Sequence, residues 1–315
     1  MILVVALNPA LDITYRVDHV DWAGLNRPTE VQARPGGKGL NVARVLHALG
    51  ADVLLAGLAG GHTGNELRSA LGAAHVPAAF AETAGPTRRT FAIVETGRAQ
   101  TTMFNEPGPL VSEAEYATFA AMFTEALPRS SAVVLSGSLP PGLPASAYAG
   151  LITTAALAGV PALLDTSGEA LRLGIAAGPA IVKPNLAEAE AVTGRSQRGG
   201  TADAAAAAAD LRSLGAAAAV ITLGAAGLLA VTGEGTWLAT PRPVSGNPTG
   251  AGDAAAAALV HGLVADSPWA ERTGRAAALG AAAVAAPVAG EFAQADYERA
   301  LASMRVTRWD ESLCR

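Results

Sequence analysis

Six short apolar runs punctuate the chain, and they restrict its fold more than any other feature: ILVVAL (2–7), DVLLAGLAG (52–60), AVVLSG (132–137), PALLD (161–165), AIVKPN (180–185) and AVITLG (219–224). Successive side chains of a strand point to opposite faces, so a run that is apolar at every position must be covered on both. Between the runs, LNVARVLHALG (40–50) and EAEYATFAAMFTEALP (113–128) repeat apolar residues at helical spacing and stop at Gly50 and Pro128. The Ala-rich TADAAAAAADLRSLGAAA (201–218) has the propensity of a covering helix. Such alternation predicts an α/β fold with a mostly parallel central sheet and helices on both faces. Ligands of these sheets bind beyond the carboxyl ends of the strands. The residues just after each run are therefore the ones to inspect.

Two stretches break the rhythm. DITYRVDHVDWAGLNRPTEVQARPGG (12–37) and TRRTFAIVETGRAQTTMFNEPGP (87–109) alternate apolar and polar residues and read as antiparallel ribbons, with TGR (96–98) as a turn. Inserted at about 12–35 and 87–107, they would form a small β-sheet lid on a single unit spanning 1–315. LGAAAAVITLGAAGLLAV (214–231) approaches membrane length, but its glycines and β-rich centre predict a helix end, a strand and a turn. MILVVALNPALD has only six consecutive apolar residues and no basic leader, so it reads as a strand rather than a signal peptide. A formal charge of -5 and no Lys/Arg run leave no footprint for nucleic acid. The one cysteine, Cys314, rules out an internal disulfide framework and points to a reducing compartment. A cytoplasmic protein, without membrane or nucleic-acid partners, is the expectation.

The sharpest motif is GNPTGAGDAAAAALVHGL (246–263), where a glycine turn delivers Asp253 to the start of a helix. The first amides of a helix lack internal partners and carry the positive end of its dipole, so they attract anions, and glycine lets a phosphate approach closely. Asp253 there is either an N-cap, the commoner role for Asp, or a general base beside a phosphate-binding turn. A second glycine turn, RPGGKGLNVARVL (34–46), fails the P-loop pattern because Gly39 follows Lys38. Gly36, Gly37 and Lys38 could still cradle a polar ligand with Asn41 pointing to it; the alternative is a plain strand-to-helix turn with a solvated lysine. Asp12 follows the first strand and, with the 36–41 turn, brackets a lid ribbon, although alone it reads as a turn aspartate. SGSLPPG (136–142) offers hydroxyls and free amides at a strand end, or is an ordinary loop. Arg27, Arg88 and Arg89 on the ribbons are a solvated face, or a clamp if the substrate is phosphorylated. In VKPNLAEAEAVTG (182–194), Asn185 and Glu188 share a helical face and could hold magnesium through water, or simply cap the helix.

Taken together, NPALD, PGGKGLNVARVL, GGHTGNEL, TRRTF, NEPGP, SGSLPPG, DTSGEAL, VKPNLAEAE, ITLGAAG and PTGAGD stand in an order that resembles the ribokinase-like (PfkB) sugar kinases. Within them the chain resembles the branch of 1-phosphofructokinase, tagatose-6-phosphate kinase and the minor bacterial 6-phosphofructokinase. The resemblance covers nearly the whole chain and implies ATP-dependent phosphoryl transfer to a sugar hydroxyl. It implies Asp253 as catalytic base and the amides of Gly250, Ala251 and Gly252 as anion hole. Asp12, Gly36, Gly37, Lys38, Asn41 and Ser138 would hold the sugar, and Arg88, with Arg27, its phosphate. Lys183, Asn185, Glu188, Thr222, Gly224 and Gly227 match the nucleotide side, Asn185 and Glu188 organising Mg2+. Asn247 and Pro248 replace the family's usual Asp or Ser followed by Thr, and Ala254 stands where Ser is frequent in this branch; they bear on substrate choice and K+ dependence. The open edges of the lid make a homodimer plausible. Alternatives are a kinase of an unphosphorylated sugar or nucleoside, and a non-catalytic sensor of sugar or nucleotide.

Overall fold

The computed structural model describes residues 1–98, 100–195 and 200–309, so Cys314 lies outside the described residues. The strands are β1 (Ile2–Ala6), β2 (Ala10–Val17), β3 (Glu30–Gly36), β4 (Val53–Ala59), β5 (Ala78–Glu82), β6 (Arg88–Glu95) and β7 (Gln100–Asn105), then β8 (Ala132–Ser136), β9 (Ala162–Asp165), β10 (Ile181–Val182), β11 (Ala218–Thr222), β12 (Leu228–Val231), β13 (Thr236–Thr240) and β14 (Arg305–Arg308). The helices are α1 (Lys38–Ala48), α2 (Gly61–Ala73), α3 (Glu113–Ala126), α4 (Ala147–Leu157), α5 (Gly168–Ala176), α6 (Leu186–Thr193), α7 (Thr201–Ser213), α8 (Ala251–Val264), α9 (Trp269–Ala285) and α10 (Gln294–Ala302).

Ten strands form one sheet in the order β14-β13-β12-β11-β10-β9-β8-β1-β4-β5, parallel from β5 to β11 and antiparallel from β12 to β14. Its apolar runs are divided residue by residue between two cores. Leu3, Val5 and Leu7 join Phe119, Tyr148 and Leu171 on one face, while Ile2, Val4 and Ala6 join Leu40, Leu67 and Leu279 on the other. Strands covered twice need no polar positions, which is why these runs read as continuous. No helix among the described residues is long and apolar enough to cross a membrane.

The expected runs differ from the strands in two places. AIVKPN forms a strand only at Ile181–Val182, because Pro184 has no N–H for the ladder; Pro184 O accepts from Thr222 N at 3.1 Å and Asn185 makes an isolated bridge to Thr222. After the turn in LGAAAAVITLGAAGLLAV comes a further strand, β12, which pairs back on β11 as a hairpin. The ribbons form a separate sheet, β3-β2-β6-β7: each is antiparallel, and β2 and β6 join them in parallel.

Candidate active site

Five parallel strands end at the same rim. Asn8 follows β1, Ser136–Ser138 close β8, Asp165 ends β9, Lys183 and Asn185 follow β10, and Thr222 ends β11; all line one cleft of ≈ 1000 Å³. The lid contributes Asp12, Arg88, Thr90 and Met103 to its wall, and the start of α8 contributes Gly250, Gly252 and Asp253. The strand order reverses at β1, whose neighbours β4 and β8 lie on either side, and this is where such sheets place ligands.

Asp253 does not cap its helix. The N-cap is Gly250, in the left-handed conformation at φ 86, and Asp253 occupies the third helical position with its side chain in the cleft wall and only 6% exposed. A Cβ on Gly250 would stand 2.8 Å from the Ala289 Cβ, so conformation and space both require glycine here. Asn41 Nδ2 donates to Asp253 Oδ2 at 2.8 Å, leaving the other oxygen for the cleft. Burial, and then the charge of Asp165, push the Asp253 carboxyl up to about 7, against the opposing pull of the Asn41 hydrogen bond, Lys183 and Lys38. A carboxylate poised there is suited to accept a proton near neutral pH. The Ala251 N–H turns back to Pro248 O at 3.2 Å, and Ala251 does not line this cleft. Of the three residues expected to form an anion hole, Gly250 and Gly252 line this cleft.

Beneath the turn lies an ion-pair triad that sequence reading missed. Asp165, 1% exposed, is 3.1 Å from Lys38 Nζ through Oδ1 and 3.0 Å from Lys183 Nζ through Oδ2. Burial alone would raise its pKa, but the two ammonium groups outweigh burial and hold it below the usual carboxylate range. Burial would likewise lower Lys38, yet Asp165, Glu188 and Asp253 raise it overall. Lys38 therefore stays charged within the cleft. The Lys183 ammonium lies beside Gly252, 3.4 Å from where a Cβ would sit, so a second positive group faces the same turn as the helix dipole. The signal for Asp165 was present: it closes the run PALLD.

On the lid side, Asp12 accepts from Thr90 Oγ1 at 2.5 Å, and burial raises its pKa against that bond and Arg88. Its carboxylate fills the space a Cβ on Gly36 would need, so Gly36 supports the site without lining it, whereas Gly37 lines it. Ser138 Oγ accepts from Asn8 Nδ2 at 3.1 Å. Arg88 is anchored to Asn8 O at 3.2 Å and Glu106 O at 3.1 Å and faces the cleft. Arg27 is brought to neither cavity: it is exposed in the loop between β2 and β3. Arg89 is exposed as well.

A second cavity of ≈ 420 Å³ adjoins the cleft, sharing Thr222 and Gly252 with it. Gly224 and Gly227 open it, and Ala276, Ala277, Gly280 and Ala281 of α9 form an apolar wall. Gly227 is at φ +99 with Ala239 O against it, so a side chain there would be strained and obstructed. Asn185 and Glu188 do cap α6: Asn185 Oδ1 accepts from Glu188 N at 2.8 Å, and Glu188 Oε2 accepts from Asn185 N at 2.9 Å. The remaining Glu188 oxygen faces the cleft, 4.0 Å from Lys38 Nζ. No cluster of three or more His, Cys, Asp or Glu suited to a metal occurs among the described residues. Asn247 Oδ1 accepts from Thr249 N at 3.0 Å and shapes the turn, whereas Ala254 is fully buried in the core and away from the cleft.

A mostly parallel sheet with a β lid over its carboxyl rim places the molecule in the ribokinase-like class; ribokinase of Arabidopsis thaliana, solved with ribose and ATP, shares this fold at TM-score 0.74 and 20% identity, over 95% of this chain and 98% of that one. The family model for pfkB family carbohydrate kinases matches residues 5–295, and the chain belongs to that family. Phosphofructokinase-2 of Escherichia coli, in its tetrameric inhibited form, is similar over 96% of this chain and 98% of its own, at 31% identity and TM-score 0.87. That enzyme has also been solved with fructose 6-phosphate and with potassium. A Thermotoga maritima protein described as a possible 1-phosphofructokinase is similar at 25% identity and TM-score 0.87, over 98% of this chain and 99% of that one.

Proposed function

We propose that this carbohydrate kinase acts on a ketohexose phosphate: fructose 1-phosphate, tagatose 6-phosphate or fructose 6-phosphate. The observation that carries the reading is the position of Asp253, buried, with its pKa near neutrality, at the seam between a charged cleft and an apolar cavity. The sugar hydroxyl gives its proton to the free Asp253 oxygen as its oxygen bonds to the γ-phosphorus of ATP and the bond to the β-phosphate oxygen breaks, releasing ADP and a sugar bisphosphate. A loose phosphoryl transition state needs positioning and charge stabilisation rather than covalent help. The glycine turn at the start of α8 and the Lys38 and Lys183 ammonium groups supply both. Asp12, Gly37, Asn41 and Ser138 hold the sugar, supported by Gly36, and Arg88 takes its phosphate. Thr222, Gly224 and Gly227 border the nucleotide. Asn185 and Glu188 would hold Mg2+ through water, and the ion would offset phosphate charge.

A potassium requirement belongs to the same proposal, resting on the E. coli complex. So does a homodimer through the lid: β3 and β7 each have an unpaired edge, and Trp22, Leu25, Val31 and Phe104 stand exposed there. The deciding experiment is a turnover panel with Mg-ATP and the three phosphates beside free fructose and free tagatose. One phosphorylated sugar should dominate, and Arg88→Ala should raise its KM about tenfold or more, since hydrogen bonds to charged groups are worth ~1.5–3 kcal/mol. Preference for a free sugar, with no response to Arg88→Ala, would overturn the substrate class.

A further inference from the structure

One carboxylate joins three parts of the molecule: the lid, α1 and the segment between α9 and α10. Glu291, between α9 and α10, accepts from two arginines on the same oxygen: Arg34 Nη1 at 2.8 Å and Arg44 Nη2 at 2.6 Å, both to Oε1. Arg34 belongs to the lid, on β3, directly opposite Asp12 of β2 in the strand register. Arg44 belongs to the body, on α1, three residues beyond Asn41 and so on the same helical face. Its Nη1 also donates to Ala289 O at 3.3 Å. The residues just before Glu291 press on the base: a Cβ on Gly290 would stand 2.8 Å from Asn41 Oδ1, and Ala289 backs Gly250.

We infer that Glu291 is a positioning residue that sets the distance between the two ends of the reacting site, holding the Asp12 ribbon of the lid at a fixed height above Asn41 and Asp253. The inference rests on the proposed roles of Asp12 and Asp253. The electrostatics give the tie a sign. Two guanidinium groups that bind one oxygen are within about 6 Å of each other and repel unless the carboxylate lies between them. Removing its charge turns a clamp into a wedge. Arg34 and Glu291 side chains are 40% and 41% exposed, so the tie is weakened by salt.

The test compares Glu291→Gln, Arg34→Gln and the double variant with the wild-type protein. At low salt, Glu291→Gln should raise the acceptor KM about threefold to fivefold, leave the KM for ATP unchanged and raise the share of ATP hydrolysed without transfer. Arg34→Gln should repeat the effect in milder form. The double variant should be no worse than Glu291→Gln, because the repelling pair is gone, and high salt should narrow every difference. Independently of any sugar, amide exchange in residues 10–17 and 30–36 should quicken in Glu291→Gln. Unchanged exchange in that ribbon, an equal rise in both KM values, or single effects that add in the double variant would each overturn the inference. If the wild-type protein phosphorylates none of the three ketohexose phosphates, the substrate proposal falls, and the exchange measurement still decides the tie.

Discussion

The two cavities that meet at Gly252 are built from opposite materials. The larger is held by charge: Lys38, Asp165, Lys183, Asp12, Arg88 and Asp253 are fixed there by ion pairs and hydrogen bonds, several almost fully buried. The smaller is held by the absence of side chains, with alanine and glycine along α9 and at the β11–β12 turn. Charge placed in a low-dielectric wall performs chemistry and costs stability, whereas a small-residue wall makes room and costs little. Substitutions should therefore fail differently on the two sides.

The largest effect falls on Asp253. Asp253→Asn should lower kcat by about 10²–10⁴, yet raise the melting temperature at pH 8. The sign follows from linkage: a carboxyl raised from 3.8 to about 7 binds its proton more tightly folded than unfolded, so its contribution to stability is lost as pH climbs between those values. Asparagine removes the loss and keeps the geometry. The wild-type kcat/KM should rise with pH through about 7 as the base ionises. Loss of activity without gain in stability would erase the contrast between the cavities.

Next comes the buried triad. Lys183→Met leaves Asp165 with Lys38 alone, and chemical denaturation should show a loss of about 3 kcal/mol, at the low end for a broken buried pair. On the apolar side, Ala281→Leu should raise the KM for ATP about tenfold through lost space, with the sugar KM unchanged and a smaller stability effect than Lys183→Met. An Ala281→Leu protein that instead lost sugar affinity would show that the two cavities are not independent.

Much of this was legible in the sequence because it follows from local rules. Runs such as ILVVAL are apolar at every position because both faces are covered, and RPGGKG announces a turn by its glycines. Asp253 was found from its place at a helix start, but the choice between cap and base was not, since both readings use the same spacing; Gly250 as the N-cap removes the cap reading. Asp165 was passed over because its meaning comes from two lysines on other elements, Lys38 far before it in sequence and Lys183 after it. Arg27 lies exposed in the β2–β3 loop and outside the cleft of its own chain, a placement that a ribbon pattern does not specify. The strands β13 and β14 escaped notice because an antiparallel edge is half polar and lacks the continuous signature, and β12 because its apolar run, LLAV, is only four residues long.

The position of β1 has a consequence for how the molecule is made. Although it precedes the other strands of its sheet in chain order, it occupies an interior position, and one of its flanks is not filled until residues 132–136 have been synthesised. Until then an almost wholly apolar ribbon has an unsealed edge, the condition in which nascent parallel sheets aggregate. Conditions that slow elongation between residues 6 and 132 should therefore reduce yield more than the same delay later in the chain.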